Sequence, residues 1–358
     1  MDNKLTIKDA KIKGAVVLVR TDYNVPLENG EIASDFRIRA SLPTLNYLLE
    51  KGAKKIILIS HLGRPEGARN KELSLKPVAL KLAELLPGVP VDFVDDVSGP
   101  DVESAVAHLK KGSILLLENL RFYPGEEKNS DNFICEILDS TGANLFVQDG
   151  FAVIHRAHAS TSAISKQLPV YAGLLLEKEV STLEKLLKKP EKPFTLLLGG
   201  AKVDDKAPLI EKFKPLADSI CIGGKIAADG VVKPDEKTYV AEDFDEDAAG
   251  NKLDCGPLST HHFLETLKSS KTVLWNGLLG KAEDPAYATS STLVLKTLGE
   301  SDGITSVICG GDTTGFAEEM MKSYPDLRFS LLSTGGGAAL ELLSGKTLPG
   351  LEAVEDKA

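Results

Sequence analysis

Short apolar runs that do not alternate recur along this chain, each followed by glycine or polar residues and then by a helical pattern. In the first half they cover residues 15–20, 55–60, 113–118 and 144–148; in the second, 194–198, 219–222, 272–275, 305–309 and 328–332. A strand with one wet face alternates apolar and polar side chains. A parallel strand sheltered by helices on both faces reads instead as a continuous Val/Ile/Leu run. Helical stretches such as 75–86 and 285–298 stand between the runs. The pattern predicts an α/β chain built from doubly wound parallel sheets. At 358 residues it is long for one core, which predicts two such domains.

The bridge between them is predicted at 173–189. Leu176, Val180, Leu183 and Leu187 share one helical face there, Glu184 precedes Lys188 by one turn, and Pro190 ends the pattern. The expected organisation is therefore a first domain over 1–172, the helix over 173–189 and a second domain over 190–345. The segment 346–358 either frays or packs back on the first domain. The acidic, weakly patterned segment 229–251 reads as a loop or insertion.

A net charge of −10 argues against nucleic acid and anionic membranes as partners of the whole chain. Four cysteines stand far apart with no Cys-x-x-Cys, so they read as thiols in a reducing compartment. The N-terminus has no apolar signal core, and no run reaches membrane-spanning length. The expected location is the cytoplasm. No extra apolar patch announces an interface, so the expected state is a monomer.

Seven of the eight arginines precede residue 157, and every Gly-Gly run follows residue 198. A guanidinium fork grips a carboxylate or phosphate from a side chain; a glycine turn at a helix N-terminus presents bare amides to a phosphate. In doubly wound sheets, ligands bind beyond the carboxyl ends of strands. Four successive strand ends in the first half deliver Asp22 and Asn24, His61 and Arg64, Arg121, and Arg156 to one rim, and Arg37 opens the next helix. Singly, each is an ordinary surface or turn residue. Together they suit a small ligand carrying both a phosphate and a carboxylate. His155 and His158 lack a third ligand at useful spacing, so zinc is not expected.

In the second half, Gly199-Gly200-Ala201-Lys202 follows a strand, and Asp205-Lys206 opens a helix. Gly223-Gly224, Gly310-Gly311-Asp312-Thr313 and Ser333-Thr334-Gly335-Gly336-Gly337 repeat the theme. No Walker A motif is present, and no G-x-G-x-x-G opens a helix near a strand, which ranks a nicotinamide oxidoreductase, the reading the α/β pattern also allows, far lower. Asp312 is placed to hold Mg²⁺ against phosphate oxygens. Trp275-Asn276-Gly277 ends another strand and could line a nucleotide groove.

With both constellations assembled, the chain resembles phosphoglycerate kinase over almost its whole length. The resemblance rests on Asp22-Tyr-Asn24-Val-Pro, Arg37-Ile-Arg, Ser60-His-Leu-Gly-Arg-Pro65, Glu118-Asn-Leu-Arg121-Phe and His155-Arg-Ala-His-Ala-Ser160. In the second half it rests on Gly199-Gly-Ala-Lys202-Val, Asp205-Lys206, Trp275-Asn-Gly277, Gly310-Gly-Asp-Thr313 and Ser333-Thr-Gly-Gly-Gly-Ala338. It implies two Rossmann-like domains facing across a cleft, with reversible phosphoryl transfer between ATP and the carboxylate of 3-phosphoglycerate, giving ADP and 1,3-bisphosphoglycerate.

Carried over, Asp22, Asn24, Arg37, His61, Arg64, Arg121 and Arg156 bind the phosphoglycerate. Gly200, Lys202, Lys206, Gly223, Gly224, Asn276, Gly310, Gly311, Asp312 and Thr313 meet the nucleotide, with Glu283 at its ribose and Asp312 on Mg²⁺. Arg37, Lys202, Lys206 and the amide-bearing Gly310, Gly311, Gly335 and Gly336 serve the transfer itself.

The chain departs from the family at the nucleoside end. Lys225-Ile-Ala-Ala-Asp229 replaces a third glycine and an aromatic-containing helix, and much of the family stretch before Trp275 is missing. Leu278 replaces a proline, Lys281-Ala282 an apolar pair, and Cys309 a glycine. In the first half, Gln148 and Gly150-Phe-Ala152 vary the usual residues. A different phosphoryl donor, or a weakly active relative that binds ligand for regulation, are the alternatives these changes leave open.

Overall fold

A computed structural model describes residues 1–201 and 206–357. The chain divides into two compact units, Met1–Ser181 joined by the C-terminal residues from Thr347, and Thr182–Lys346.

The first unit is built on a six-stranded sheet of β1 (Val16–Arg20), β4 (Lys55–Ile59), β5 (Val91–Val94), β6 (Ser113–Leu117), β7 (Leu145–Gln148) and β8 (Val170–Ala172). Its order is β5-β6-β4-β1-β7-β8, and every pairing is parallel. A small antiparallel hairpin, β2 (Leu27–Glu28) and β3 (Glu31–Ile32), interrupts the connection after β1. The inner strands are buried along nearly their whole length, as the unbroken apolar runs require. Helices Phe36–Glu50 and Lys76–Leu85 contribute Ile38, Leu45, Leu48, Val78 and Leu82 to the core against Val17, Val19, Ile56 and Leu58.

The C-terminal segment packs on this same unit. The Leu5 amide donates to the Glu355 carbonyl at 2.7 Å, the Glu355 amide to Val170 at 3.1 Å, and the Gly350 amide to Ile154 at 2.8 Å.

The second unit repeats the plan with β9 (Phe194–Leu198), β10 (Ser219–Ile222), β11 (Thr238–Val240), β14 (Thr272–Asn276), β15 (Thr305–Cys309) and β16 (Leu331–Leu332). The order β11-β10-β9-β14-β15-β16 is again wholly parallel. An antiparallel hairpin, β12 (Phe244–Glu246) and β13 (Lys252–Cys255), precedes helix Pro257–Lys268. Segment 229–251, expected to be loop, thus supplies the edge strand β11 and one arm of this hairpin. The short, half-exposed strands carry too few apolar residues for a periodic signal.

Helix Leu174–Lys188 starts in the first unit and ends in the second. Leu176, Val180, Leu183 and Leu186 are buried, with Leu187 half-buried beside them. Its first turn is tied to the first unit. Asp149 Oδ1 accepts from the Leu175 and Leu176 amides at 3.0 and 3.3 Å, and Thr44 Oγ1 accepts from the Leu174 amide at 2.9 Å.

In each sheet the chain steps outward from the first strand and later returns to pair on its other side, at β7 beside β1 and at β14 beside β9. Strand order reverses there, so the neighbouring loops diverge and leave a crevice beyond the carboxyl ends of the strands. Asp22 and Asn24 follow β1 at the one switch point; Asn276 ends β14, and Gly277 follows it, at the other.

Candidate functional site

In the first unit, the loops after β1, β4, β6 and β7 build a cationic cluster. Arg37, half-buried in the first turn of helix Phe36–Glu50, donates through Nη1 to Asp22 Oδ2. Asp22 Oδ1 also accepts from the Asn24 amide at 3.2 Å, and Asn24 Oδ1 accepts from the Gly63 amide at 2.8 Å. Arg121 is 4% exposed; its Nη1 donates to the Gly63 carbonyl at 2.8 Å, and its Nε lies 3.3 Å from Glu127 Oε1. Asn119 ties two of these loops together, donating to the Leu62 and Leu73 carbonyls while its Oδ1 accepts from the Arg121 amide. Arg156 donates through Nε to His155 Nε2 at 3.2 Å. Arg64 is exposed next to Gly63. A cavity of ≈ 660 Å³ opens beside Asn24, Gly63 and the β2–β3 hairpin.

The electrostatics show that these cations converge. His61 is buried, with Nδ1 3.8 Å from Asp22 Oδ1. Burial first, then Arg20, Arg121 and Arg37, hold its imidazole well below the usual range. Burial and then Arg121, Arg20 and Arg156 bring His158 down to about 4. Burial and the neighbouring Arg20 and Arg156 lower Arg121 to about 10. Both histidines are therefore neutral at pH 7, and the positive charge of the cluster resides on arginines.

Arg20 and Glu126 belong to this centre and were not among the expected site residues. Arg20 is fully buried; its Nε donates to Ser160 Oγ at 2.7 Å, Nη1 donates to the Thr21 carbonyl, and Nη2 lies 3.7 Å from Glu126 Oε1. Glu126, also fully buried, accepts from Ser160 Oγ at 2.6 Å and the Ser160 amide at 3.0 Å. This pair braces the loop carrying Arg156 against β1. The available signal was an arginine closing an otherwise apolar buried strand, which demands a buried counter-charge.

In the second unit, glycines let three strand-end loops touch backbone to backbone. A Cβ on Gly199 would stand 2.3 Å from the Leu278 carbonyl oxygen, and one on Gly277 2.2 Å from that of Gly199. The Gly199 amide donates to the Asn276 carbonyl at 3.0 Å and the Gly200 amide to Leu278 at 2.7 Å. Gly224 fits only because it has no side chain and its φ is +61°.

A cavity of ≈ 470 Å³ opens over these loops. Gly200, Lys206, Gly224, Asn276, Glu283, Gly310, Gly311, Asp312 and Thr313 line it, as do Lys225, Phe244, Lys252, Asp254 and Lys281. Lys206 is 9% exposed, and its Nζ donates to Asn276 Oδ1. Asn276 Nδ2 donates to the Cys309 carbonyl at 3.0 Å, and Thr313 Oγ1 accepts from the Gly277 amide at 2.8 Å. Gly310 caps helix Gly311–Ser323, whose first-turn amides and dipole favour an anion, and Asp312 stands exposed in that turn.

The other expected residues are placed differently. Gly223 faces inward, toward Leu279, Cys255 and Phe263, and does not line the cavity. Gly335 and Gly336 precede helix Gly337–Leu343, whose Leu340 lines the cavity, and are not themselves in its lining. Trp275, read as part of a groove, is fully buried, with Nε1 donating to the Gly277 carbonyl at 2.8 Å. Lys202 and Asp205 lie outside the described residues.

Among the described residues no group of three His, Cys, Asp or Glu side chains could cage a metal. Mg²⁺ does not need such a cage, since it is commonly held by one or two carboxylates together with substrate phosphates. The exposed carboxylate of Asp312 beside bare helix-terminal amides fits that mode. No helix of the described residues is long and apolar enough to cross a membrane.

Comparison with known proteins agrees with this architecture. The phosphoglycerate kinase family model matches residues 7–229 and 227–346, two pieces that overlap at 227–229. The phosphoglycerate kinase of Moorella thermoacetica is 40% identical over 399 aligned residues, covering 99% of this chain and 100% of that protein. The alignment is longer than the 358 residues here, so gaps fall in this chain. The structure of phosphoglycerate kinase from Pyrococcus horikoshii OT3 superposes with a TM-score of 0.84 at 26% identity, and that from Coxiella burnetii with 0.78 at 29%. Each match covers 98% of both chains.

Proposed function

The chain belongs to the phosphoglycerate kinase family, and from that premise we propose that it catalyses Mg²⁺-dependent, reversible phosphoryl transfer between ATP and the carboxylate of 3-phosphoglycerate. The observation that carries this reading is the cationic cluster of the first unit, where Arg37, Arg121 and Arg156 outnumber the counter-charge supplied by Asp22 and Glu127. A ligand with a phosphate and a carboxylate brings about three negative charges near neutral pH. Fixing it in one pose takes forked donors at several angles, and pre-positioned cations lower the entropic cost of doing so.

The chemistry needs no general base. A carboxylate has a reference pKa of about 4 and is already an ionised nucleophile at pH 7. His61 and His158, held neutral by burial and then by the surrounding arginines, are suited to donating hydrogen bonds without taking up a proton. Arg37 and Lys206 would offset the negative charge that spreads over the moving phosphoryl group, and the amides of Gly311 to Thr313 would do the same at the donor phosphates. Asp312 would hold Mg²⁺, which when bound neutralises charge on the donor's phosphate oxygens. The reaction requires the acceptor carboxylate and the phosphoryl group to meet with water excluded.

We place this activity in glycolysis or gluconeogenesis, in a cytoplasmic monomer. A coupled spectrophotometric assay with ATP, Mg²⁺ and 3-phosphoglycerate tests the proposal: ADP release that depends on 3-phosphoglycerate supports it, and ADP release indifferent to that acceptor refutes it.

A further inference from the structure

Four lysines line the donor cavity, together with the carboxylates of Asp254, Glu283 and Asp312. Near the phosphate-binding turn stand Lys206 and helix Gly311–Ser323. Three more lysines line the same cavity from three separate elements: Lys225 on helix Gly224–Ala228, Lys252 on β13 and Lys281 in the loop after β14. All three are exposed. Lys225 pairs with Asp229 at 3.0 Å, an exposed contact that water and salt weaken and a ligand can displace. Of the lining carboxylates, Asp254 is turned inward, where its oxygens accept from the Cys255 and Ser290 amides.

A nucleobase is neutral and is recognised chiefly by stacking and by directed hydrogen bonds. Phe244 is the aromatic side chain in the lining, and the Lys252 ammonium sits 4.7 Å above its ring. A base seeking that face would have to displace a cation already bound there. Leu253, Leu278, Leu279 and Leu340 also line the cavity, so the three lysines share it with an apolar wall.

Resting on the kinase reading above, we propose that this site takes a linear inorganic polyphosphate as a phosphoryl donor, with Lys225, Lys252 and Lys281 binding the phosphates farthest from the reacting end. Each internal phosphate of such a chain carries a negative charge along its length, so successive lysines each find a partner. In the transfer, the bond from the terminal phosphorus to its bridging oxygen breaks. The electron pair stays on that oxygen, leaving a polyphosphate one unit shorter. A new bond forms from the phosphorus to a carboxylate oxygen of the acceptor.

The test uses the full chain with 3-phosphoglycerate, Mg²⁺ and either tetrapolyphosphate or ATP, trapping the acyl phosphate with hydroxylamine. Binding of tetrapolyphosphate without Mg²⁺ is followed in parallel by calorimetry. The proposal expects product from tetrapolyphosphate. It also expects Lys252→Met and Lys281→Met each to lower the ratio of kcat/KM for tetrapolyphosphate to that for ATP by about tenfold or more, with Lys→Arg retaining it, since each removes one charge-assisted contact. The calorimetric Kd should rise in the same Met variants. Product from ATP but none from tetrapolyphosphate, or a ratio and Kd unchanged in both Met variants, overturns the proposal while leaving the kinase reading intact. No product from either donor overturns both.

Discussion

Asp22 and Arg37 stand on different elements, yet the Arg37 guanidinium donates to the buried Asp22 carboxylate. The aspartate fixes where the cation points, which spares the ligand part of the cost of ordering a long side chain. Arg37→Ala is expected to lower kcat by about a hundredfold or more, because it removes charge stabilisation at the phosphoryl group. Asp22→Asn keeps the cation but loosens it, and should raise KM for 3-phosphoglycerate more than it lowers kcat. Steady-state kinetics on the two variants separates these effects.

Lys206 sits almost buried against Asn276 at the floor of the donor cavity. Lys206→Met should reduce kcat by about a hundredfold while leaving KM for 3-phosphoglycerate near its original value, since that ligand binds through other residues. An unchanged kcat would remove Lys206 from the transfer step.

His158 gives the protein an acid-sensitive side. Its folded pKa, about 4, lies below the unfolded value of 6.5. Between those values the unfolded chain binds a proton that the folded one does not, so stability falls as pH drops from about 6.5 toward 4, by on the order of 3 kcal/mol. Urea midpoints of the wild type should decline over that window, and His158→Gln should flatten the decline.

Asp149 has the opposite sign. Burial, opposed by the Thr44 hydroxyl and the Leu176 and Leu175 amides, pushes its carboxyl up to about 7 from 3.8. The folded state holds the proton more tightly, so the contribution is complete below pH 3.8 and is lost as pH rises through 7. Asp149→Asn keeps an oxygen to accept from the first turn of helix Leu174–Lys188 and carries no charge. Its Tm is expected to exceed that of the wild type by several degrees at pH 8, with the gap closing by pH 5.

Much of this was legible in the sequence because the inner strands are apolar end to end and their carboxyl ends carry the polar groups. Val16–Arg20 and Phe194–Leu198 announce themselves in this way. The edge strand Val91–Val94 does not, since Asp92 faces solvent and a four-residue run leaves no period to detect. The Arg20–Glu126 pair was hidden because the partners are distant in sequence and only the tertiary fold brings them together. Trp275 was misread for a related reason: a tryptophan beside Asn276 and Gly277 looks like a groove wall, whereas its neighbours in β9 and β15 bury it. The lysines that line the donor cavity were visible singly, at Lys225 and Lys281. Their convergence with Lys252 depends on the hairpin that the weakly patterned segment conceals.

The central claim is that a carboxylate receives the phosphoryl group. Incubating the protein with terminally labelled ATP, Mg²⁺ and 3-phosphoglycerate and quenching with hydroxylamine tests it directly. The account predicts a hydroxamate of 3-phosphoglycerate at the carboxyl carbon, formed in proportion to label lost from ATP, and its disappearance in Arg37→Ala. Label recovered only as inorganic phosphate, with no hydroxamate, would contradict it.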